Sequence, residues 1–320
     1  MMRVSRMSHP GRTLAALLGG ALAALAVSPS ALAAQPAQAQ QSAHSHTWQV
    51  AVGEEADHDA IQGMAFLPGT LWINAGDKVD WTARAGEIHT VTFLAKGQPL
   101  PQFNPGDPTQ LFPTGSSVYD GVSYYNSGVL SDEVDSGFPP ATNYSLTFGT
   151  VGDFTYYCLV HGVMMKGVVH VRAAGTHYPF TQRQYNAQSA RARAAIFRDG
   201  FRLWRETAQA ATNHMVFAGA DDGTAMVMRW IGQTVHVRLG SSVTFANSGM
   251  AAPHTVTFGV EQPNVFAPYG DPTHFTGQPL NSGILPPGAT FTVTFTKKGN
   301  YHYFCALHDY LHMVGTVIVG

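Results

Sequence analysis

In two long stretches of the chain, apolar and polar residues alternate with a period of two. Tyr144, Leu146 and Phe148 alternate with polar neighbours, and so do Phe291, Val293 and Phe295. Such alternation, rich in β-branched and aromatic residues, predicts half-buried strands. In Tyr301-His302-Tyr303-Phe304-Cys305 it turns Tyr301, Tyr303 and Cys305 inward and His302 outward. The period changes once. Between about Thr181 and Ala211, Phe197, Phe201, Trp204 and Ala208 fall at i, i+4, i+7 and i+11, which predicts one apolar helix face. Gly200 in that helix marks a kink or a close packing contact. Many short strands with regular turns predict an all-β protein of sandwich or barrel type.

The strand pattern occurs twice, as an internal repeat. HTVTF stands at 89–93 and again at 254–258, GDPT at 106–109 and 270–273, and NSGVL at 126–130 answers NSGIL at 281–285. YSLTFGTVGDFTYYC (144–158) aligns without a gap to FTVTFTKKGNYHYFC (291–305). The first copy has a longer middle, with an acidic, Pro-rich stretch at 131–140. The expected organisation is a leader at 1–39, a first domain at 40–172, a helical linker at 173–213 and a second domain at 214–320.

Composition narrows the class. Of 320 residues, 45% are hydrophobic and only 12% charged, which suits compact β domains. A net charge of −2 gives no footprint for nucleic acid. Arg3, Arg6 and Arg12 followed by an apolar run from Thr13 to Val27 and Ala31-Leu32-Ala33 read as a secretory leader, with Ala37-Gln38-Ala39 as a second cleavage site. An uncleaved membrane anchor is the alternative. Beyond the leader, no apolar run reaches the roughly 18 residues of a membrane span. The chain is therefore expected outside the cytoplasm: periplasmic, at the cell surface or extracellular.

The chemistry sits at the end of each repeat. YHYFCALHDYLHMVGTVIVG (301–320) carries Cys305, His308 and Met313 as C-x2-H-x4-M, and FTYYCLVHGVMMKGVVHV (154–171) carries Cys158 and His161 followed by Met164 and Met165. Thiolate, imidazole and thioether on one loop, completed by a distant His, describe a trigonal His2Cys copper site with a long axial Met. His89 and His254, which open the two HTVTF segments, are the candidates for that distant His. A single Cys158–Cys305 disulfide is the plain alternative in an exported chain. Half a structural zinc site is another, but zinc would draw more Cys or His and no Met. Matching Gly167 to Gly315 favours Met165 over Met164 as the counterpart of Met313. Thr90 and Thr255, each next to the distant His, are candidates to hydrogen-bond across to the cysteine loop. His44 and His46, and the acidic loop with Glu54, Glu55, Asp57, His58 and Asp59, read as a solvated tail and a solvated loop.

With these motifs in view, each copy resembles a cupredoxin, the blue-copper domain of plastocyanin, pseudoazurin and amicyanin. The resemblance covers roughly 46–172 and 214–320. It implies two Greek-key antiparallel β-sandwiches and two type 1 coppers per chain, held by His89, Cys158, His161 and Met165 and by His254, Cys305, His308 and Met313. It implies one-electron transfer with a redox partner protein, and an exposed edge of His161 and of His308 as the two electron doors. Leu159, Val160 and Val163 would rim the first, Ala306, Leu307 and Leu311 the second. The linker arginines, Arg191, Arg198, Arg202 and Arg205, form either a solvated face or a docking face for an acidic partner. Copper oxidases and nitrite reductases share the resemblance, and copper storage or delivery uses the same ligands. Those enzymes usually take a further ligand from a residue beside the cysteine. Here the neighbours are Tyr157 and Leu159, and Phe304 and Ala306, so a carrier without substrate chemistry is expected.

Overall fold

The alternating stretches fold as strands with the expected sides. Gly152–Cys158 buries Tyr156 and Cys158, and Gly299–Phe304 buries Tyr303, while His302 faces solvent and meets the Thr316 hydroxyl at 3.0 Å. The computed structural model describes residues 45–138 and 141–320. The leader, its cleavage sites and His44 lie outside the described residues.

Each half is a two-sheet β-sandwich, and one helix, Gln182–Ala210, lies between the halves in sequence. A six-stranded sheet in the first half runs Thr70–Asn74, Gly162–Arg172, Gly152–Cys158, Thr92–Phe93, Tyr125–Ser127, Pro113–Thr114. The second half repeats it as Thr234–Val237, Val314–Val319, Gly299–Phe304, Thr257–Phe258, Leu280–Ser282, Pro268–Tyr269. Both place the cysteine strand inside the sheet, antiparallel to the strand that follows its loop. Parallel pairs are present too: Thr47–Ala56 runs parallel to Lys78–Ala83, and Met215–Asp221 parallel to Ser242–Ala246.

The opposing sheets of the two sandwiches are one sheet. Nine strands are continuous because Ala225–Ile231 of the second half pairs antiparallel with Ile61–Leu67 of the first, Met226 opposite Gln62. Each sandwich has its own aromatic core, one around Trp48, Trp81, Phe93 and Tyr156, the other around Trp230, Phe245, Phe258 and Tyr303. The first core also takes in Met226, Met228, Ala252 and Leu311 from the second half.

The linker helix crosses this seam, packing on strands of both halves. Its N-terminus is closed by a capping box in which the Thr181 hydroxyl accepts from Gln184 N and the Gln184 side chain accepts from Thr181 N. The buried face corrects the expected one. Tyr185, Ile196 and Gly200 are buried, whereas Phe201 and Ala208 are exposed and Phe197 and Trp204 only half-buried. The face is rotated by about one residue because the seam demands closeness: a Cβ on Gly200 would lie 2.5 Å from Ile61 Cγ2. Gly200 thus marks close packing. The helix arginines are partly spoken for, Arg202 by Asp199, Glu206 and Asp222, and Arg193 by Glu54 at 3.6 Å. Among the described residues, no helix is long and apolar enough to cross a membrane.

Candidate metal centres

Two clusters of potential ligands form, one in each sandwich. The donor atoms of His89, Cys158 and His161 lie within 4.8 Å of one another, and so do those of His254, Cys305 and His308. All six side chains are buried. Cys158 Sγ stands 3.8 Å from His89 Nδ1 and 3.3 Å from His161 Nδ1; Cys305 Sγ stands 3.6 Å from His254 Nδ1 and 3.4 Å from His308 Nδ1. In both clusters the Nδ1 atoms converge on the sulfur and the Nε2 atoms point away. Both cysteines are free, which removes the disulfide alternative.

The two methionine positions separate by strand alternation. On Gly162–Arg172, Met165 shares the inward face with Gly167, Val169 and Val171 and is 1% exposed, in the same core cluster as Cys158. Met164 points the other way, with its sulfur against the Gly223 turn of the second half. Met313 is fully buried beside Cys305.

The threonines after the distant histidines hold the cysteine loops. Thr90 Oγ1 accepts from Leu159 N at 2.8 Å, and Thr255 Oγ1 from Ala306 N at 2.7 Å. The Thr90 and Thr255 amides donate to Cys158 and Cys305 Sγ at 3.4 and 3.3 Å. Each sulfur thus has an amide donor that favours thiolate over thiol.

Without metal, burial sets the protonation states. It pushes both thiols up to about 11, against the help of those amides. Burial lowers His161 to about 3 and His308 to about 4, and holds His89 and His254 well below the usual range. Four neutral imidazoles and two protected sulfurs, with a buried thioether in each core, fit copper. They do not complete a tetrahedral zinc site of Cys and His.

Several residues were not foreseen. Gly53 and Gly219 occupy equivalent bulges, at φ +69° and +66°, where the register of Thr47–Ala56 and Met215–Asp221 slips. A Cβ on Gly53 would lie 2.8 Å from His89 Cδ2, and one on Gly219 would lie 3.6 Å from His254 Nε2. A lone glycine inside an alternating strand was the available signal. His46, expected in a solvated tail, is exposed, but its ring packs on Trp48 at 4.3 Å. Glu87, two residues before His89, is 3% exposed, and burial pushes it up to about 8 against one backbone amide, that of Ile88. Its signal was a break in the repeat, since the matching position before His254 is Ala252.

One expectation is overturned. His161 and His308 are not doors to solvent; they are 5% and 6% exposed. The two cysteine loops are turned toward each other across the domain junction. Glu87 Oε1 lies 3.7 Å from His161 Nε2, and Glu87 Oε2 lies 3.9 Å from His308 Nε2. Leu311, expected on a rim, is fully buried in the first sandwich's core, over Gly86. Joining the sheets edge to edge brings both loop ends to the same side of the seam.

Comparison with known proteins agrees with the geometry. Residues 50–172 and 215–320 both match the copper binding proteins of the plastocyanin/azurin family. Plastocyanin from Solanum crispum is 30% identical over 105 residues, 33% of this chain and 98% of the relative. Plastocyanin from Mercurialis perennis is 31% identical over the same shares. A solved amicyanin, 25% identical, covers 35% of this chain and 89% of its own, with a TM-score of 0.24. A purple cupredoxin from Nitrosopumilus maritimus, 22% identical, covers 33% and 98%, also with a TM-score of 0.24. With the family matched over both halves and a His-Cys-His cluster formed in each, the chain belongs to the plastocyanin/azurin family of copper-binding proteins and carries its domain twice.

Proposed function

We propose that this chain is an exported protein that holds two mononuclear type 1 copper ions and passes single electrons without turning over a substrate. Its domains would be 40–172 and 214–320, behind a leader at 1–39. The ligands would be His89, Cys158, His161 and Met165 in the first site, and His254, Cys305, His308 and Met313 in the second. The observation that carries this reading is the pair of buried clusters whose imidazole Nδ1 atoms converge on a free cysteine. Copper bound there supplies a Cu(I)/Cu(II) couple.

The chain's residues suit that couple. Thiolate and thioether favour the reduced ion, and imidazole serves both states. Two sheets, the threonine braces and the bulge glycines hold each set in place, so little has to reorganise as the charge changes. Neither cysteine has a His neighbour to hold a further copper, which supports a carrier that works with a redox partner protein over a copper oxidase.

The test is copper stoichiometry with visible and paramagnetic resonance spectra. Two coppers per chain with thiolate charge-transfer bands are expected, and Cys158→Ser and Cys305→Ser should each remove one. Loss of both ions from either variant, or sustained consumption of oxygen or nitrite by the loaded protein, would overturn the reading.

A further inference from the structure

The carboxyl of Glu87 stands between the two centres with one oxygen toward each. Oε1 faces His161 Nε2 and Oε2 faces His308 Nε2, at 3.7 and 3.9 Å. Both imidazoles present Nδ1 to their own cysteine, so Nε2 is the atom each has left. The carboxyl is buried, and Oε2 has no hydrogen-bond partner. A buried carboxyl oxygen left without a donor is costly and calls for a role. Above it lies a cavity of about 250 Å³, walled by residues of both halves such as Phe103, Phe138, Ala252 and Leu307.

The backbone beneath Glu87 is pinned. Glu87 N donates to Gln62 Oε1 at 3.3 Å, and Gln62 lies on the seam strand opposite Met226. Gly86 N donates to Glu55 Oε2 at 2.8 Å, and Ser131 Oγ donates to Gly86 O at 2.8 Å. From the second half, Arg229 donates to the carbonyls of His58 and Leu311, tying the His308 loop to the first sandwich. The matching residue of the repeat, Ala252, is small and lines the same cavity. One copy supplies a carboxyl and the other the room for it.

We propose that Glu87 is a positioning residue that accepts from the Nε2–H of both His161 and His308 and so joins the two copper sites into one internal electron route. The proposal rests on the two-site reading above. With Nδ1 committed to a metal, each ring is fixed as the tautomer protonated at Nε2, a donor aimed at its own carboxyl oxygen, and two such donors favour the carboxylate against the burial that keeps it protonated without metal. The present separations exceed a hydrogen bond by less than an ångström, a gap that a small ring tilt closes. In the transfer, one electron leaves the Cys158 set and one arrives at the Cys305 set, or the reverse. One site is oxidised as the other is reduced; no bond breaks, and both Nε2 protons stay on their rings. Neither imidazole edge is open to a docked partner; both face the junction between the two sites.

The experiment compares wild type with Glu87→Gln and Glu87→Ala in the copper-loaded full chain. In the ¹⁵N-labelled Cu(I) form, wild type should show two slowly exchanging Nε2–H resonances, from His161 and His308. Gln keeps one acceptor oxygen and should lose one of them; Ala should lose both. In half-reduced protein, flash reduction should reveal a concentration-independent exchange between the sites, slowed about tenfold or more in Glu87→Ala. Unchanged resonances and an unchanged exchange rate in both variants would overturn the proposal. So would a third metal equivalent bound through Glu87 in place of the two protons. If both coppers titrate as reversible one-electron centres while Glu87 has no effect, the proposal fails and the functional reading stands. If fewer than two coppers bind, the functional reading fails first and the proposal with it.

Discussion

Gly53 and His89 touch. The bulge at Gly53 brings the backbone of Thr47–Ala56 so near the imidazole that a Cβ there would lie 2.8 Å from His89 Cδ2 and 2.8 Å from Ala85 Cβ. Its φ of +69° is also one that glycine adopts at no cost. Gly53→Ala should therefore destabilise the first half by about 1–3 kcal/mol and move His89. The measurement is denaturant unfolding of the metal-free protein together with the visible spectrum of the loaded one. An unchanged spectrum with both coppers bound would mean that the ring tolerates displacement.

Met165 and Met164 should behave oppositely. Met165 faces the core with Cys158, so Met165→Leu should raise the potential of one site and shift its charge-transfer bands. Met164 packs on Gly223, where a Cβ would lie 2.7 Å from its sulfur, so Met164→Leu should leave both spectra unchanged. Redox titration of the two variants checks this, and the reverse outcome would reassign the axial ligand.

The seam depends on a missing side chain. Gly200→Val would drive a branched residue into Ile61 and Ala225, and overpacking of this kind costs about 1–3 kcal/mol. Because the helix bridges both halves, the expected result is earlier thermal unfolding and faster proteolysis near the linker, with each copper spectrum preserved while the protein is folded.

Stability of the metal-free protein should fall on the acid side. His161 and His308 sit at about 3 and about 4 when folded, against an ordinary value of 6.5. Their folded values are depressed, so below about 6.5 the unfolded chain binds protons that the folded chain refuses. The stability they support is complete above 6.5 and is lost as pH falls toward 4 and 3. His89 and His254 are depressed as well and add to the slope. Urea midpoints between pH 7 and 4 measure it. Glu87, pushed up to about 8, has the opposite sign between 4.5 and 8 and offsets part of this slope, so the net fall is that of the four imidazoles less the carboxyl, and a flat or rising profile would overturn the prediction.

Much of this protein is local enough to be written in its sequence. The period-two alternation of 144–148 and 291–295 fixes which side chains face inward, because neighbouring side chains on a strand must point to opposite faces. The repeat fixes that there are two cysteine loops, and C-x2-H followed by a Met names candidate donors in each, since ligand chemistry lives in residue type and short spacing. Matching Gly167 to Gly315 already leaned toward Met165. What the sequence left open concerns surfaces that meet from far apart in the chain. Periodicity placed the helix but misjudged its buried face by one residue, because contact with Ile61 and Ala225 at the seam outweighed the larger side chains at 197, 201 and 204. The histidines His161 and His308 belong to loops that a single domain would leave at its surface. Only the pairing of Ile61–Leu67 with Ala225–Ile231 turns them toward each other and closes the junction around Glu87. That pairing uses generic backbone hydrogen bonds, which no side-chain pattern specifies, so the relation between the two centres exists only in the tertiary structure.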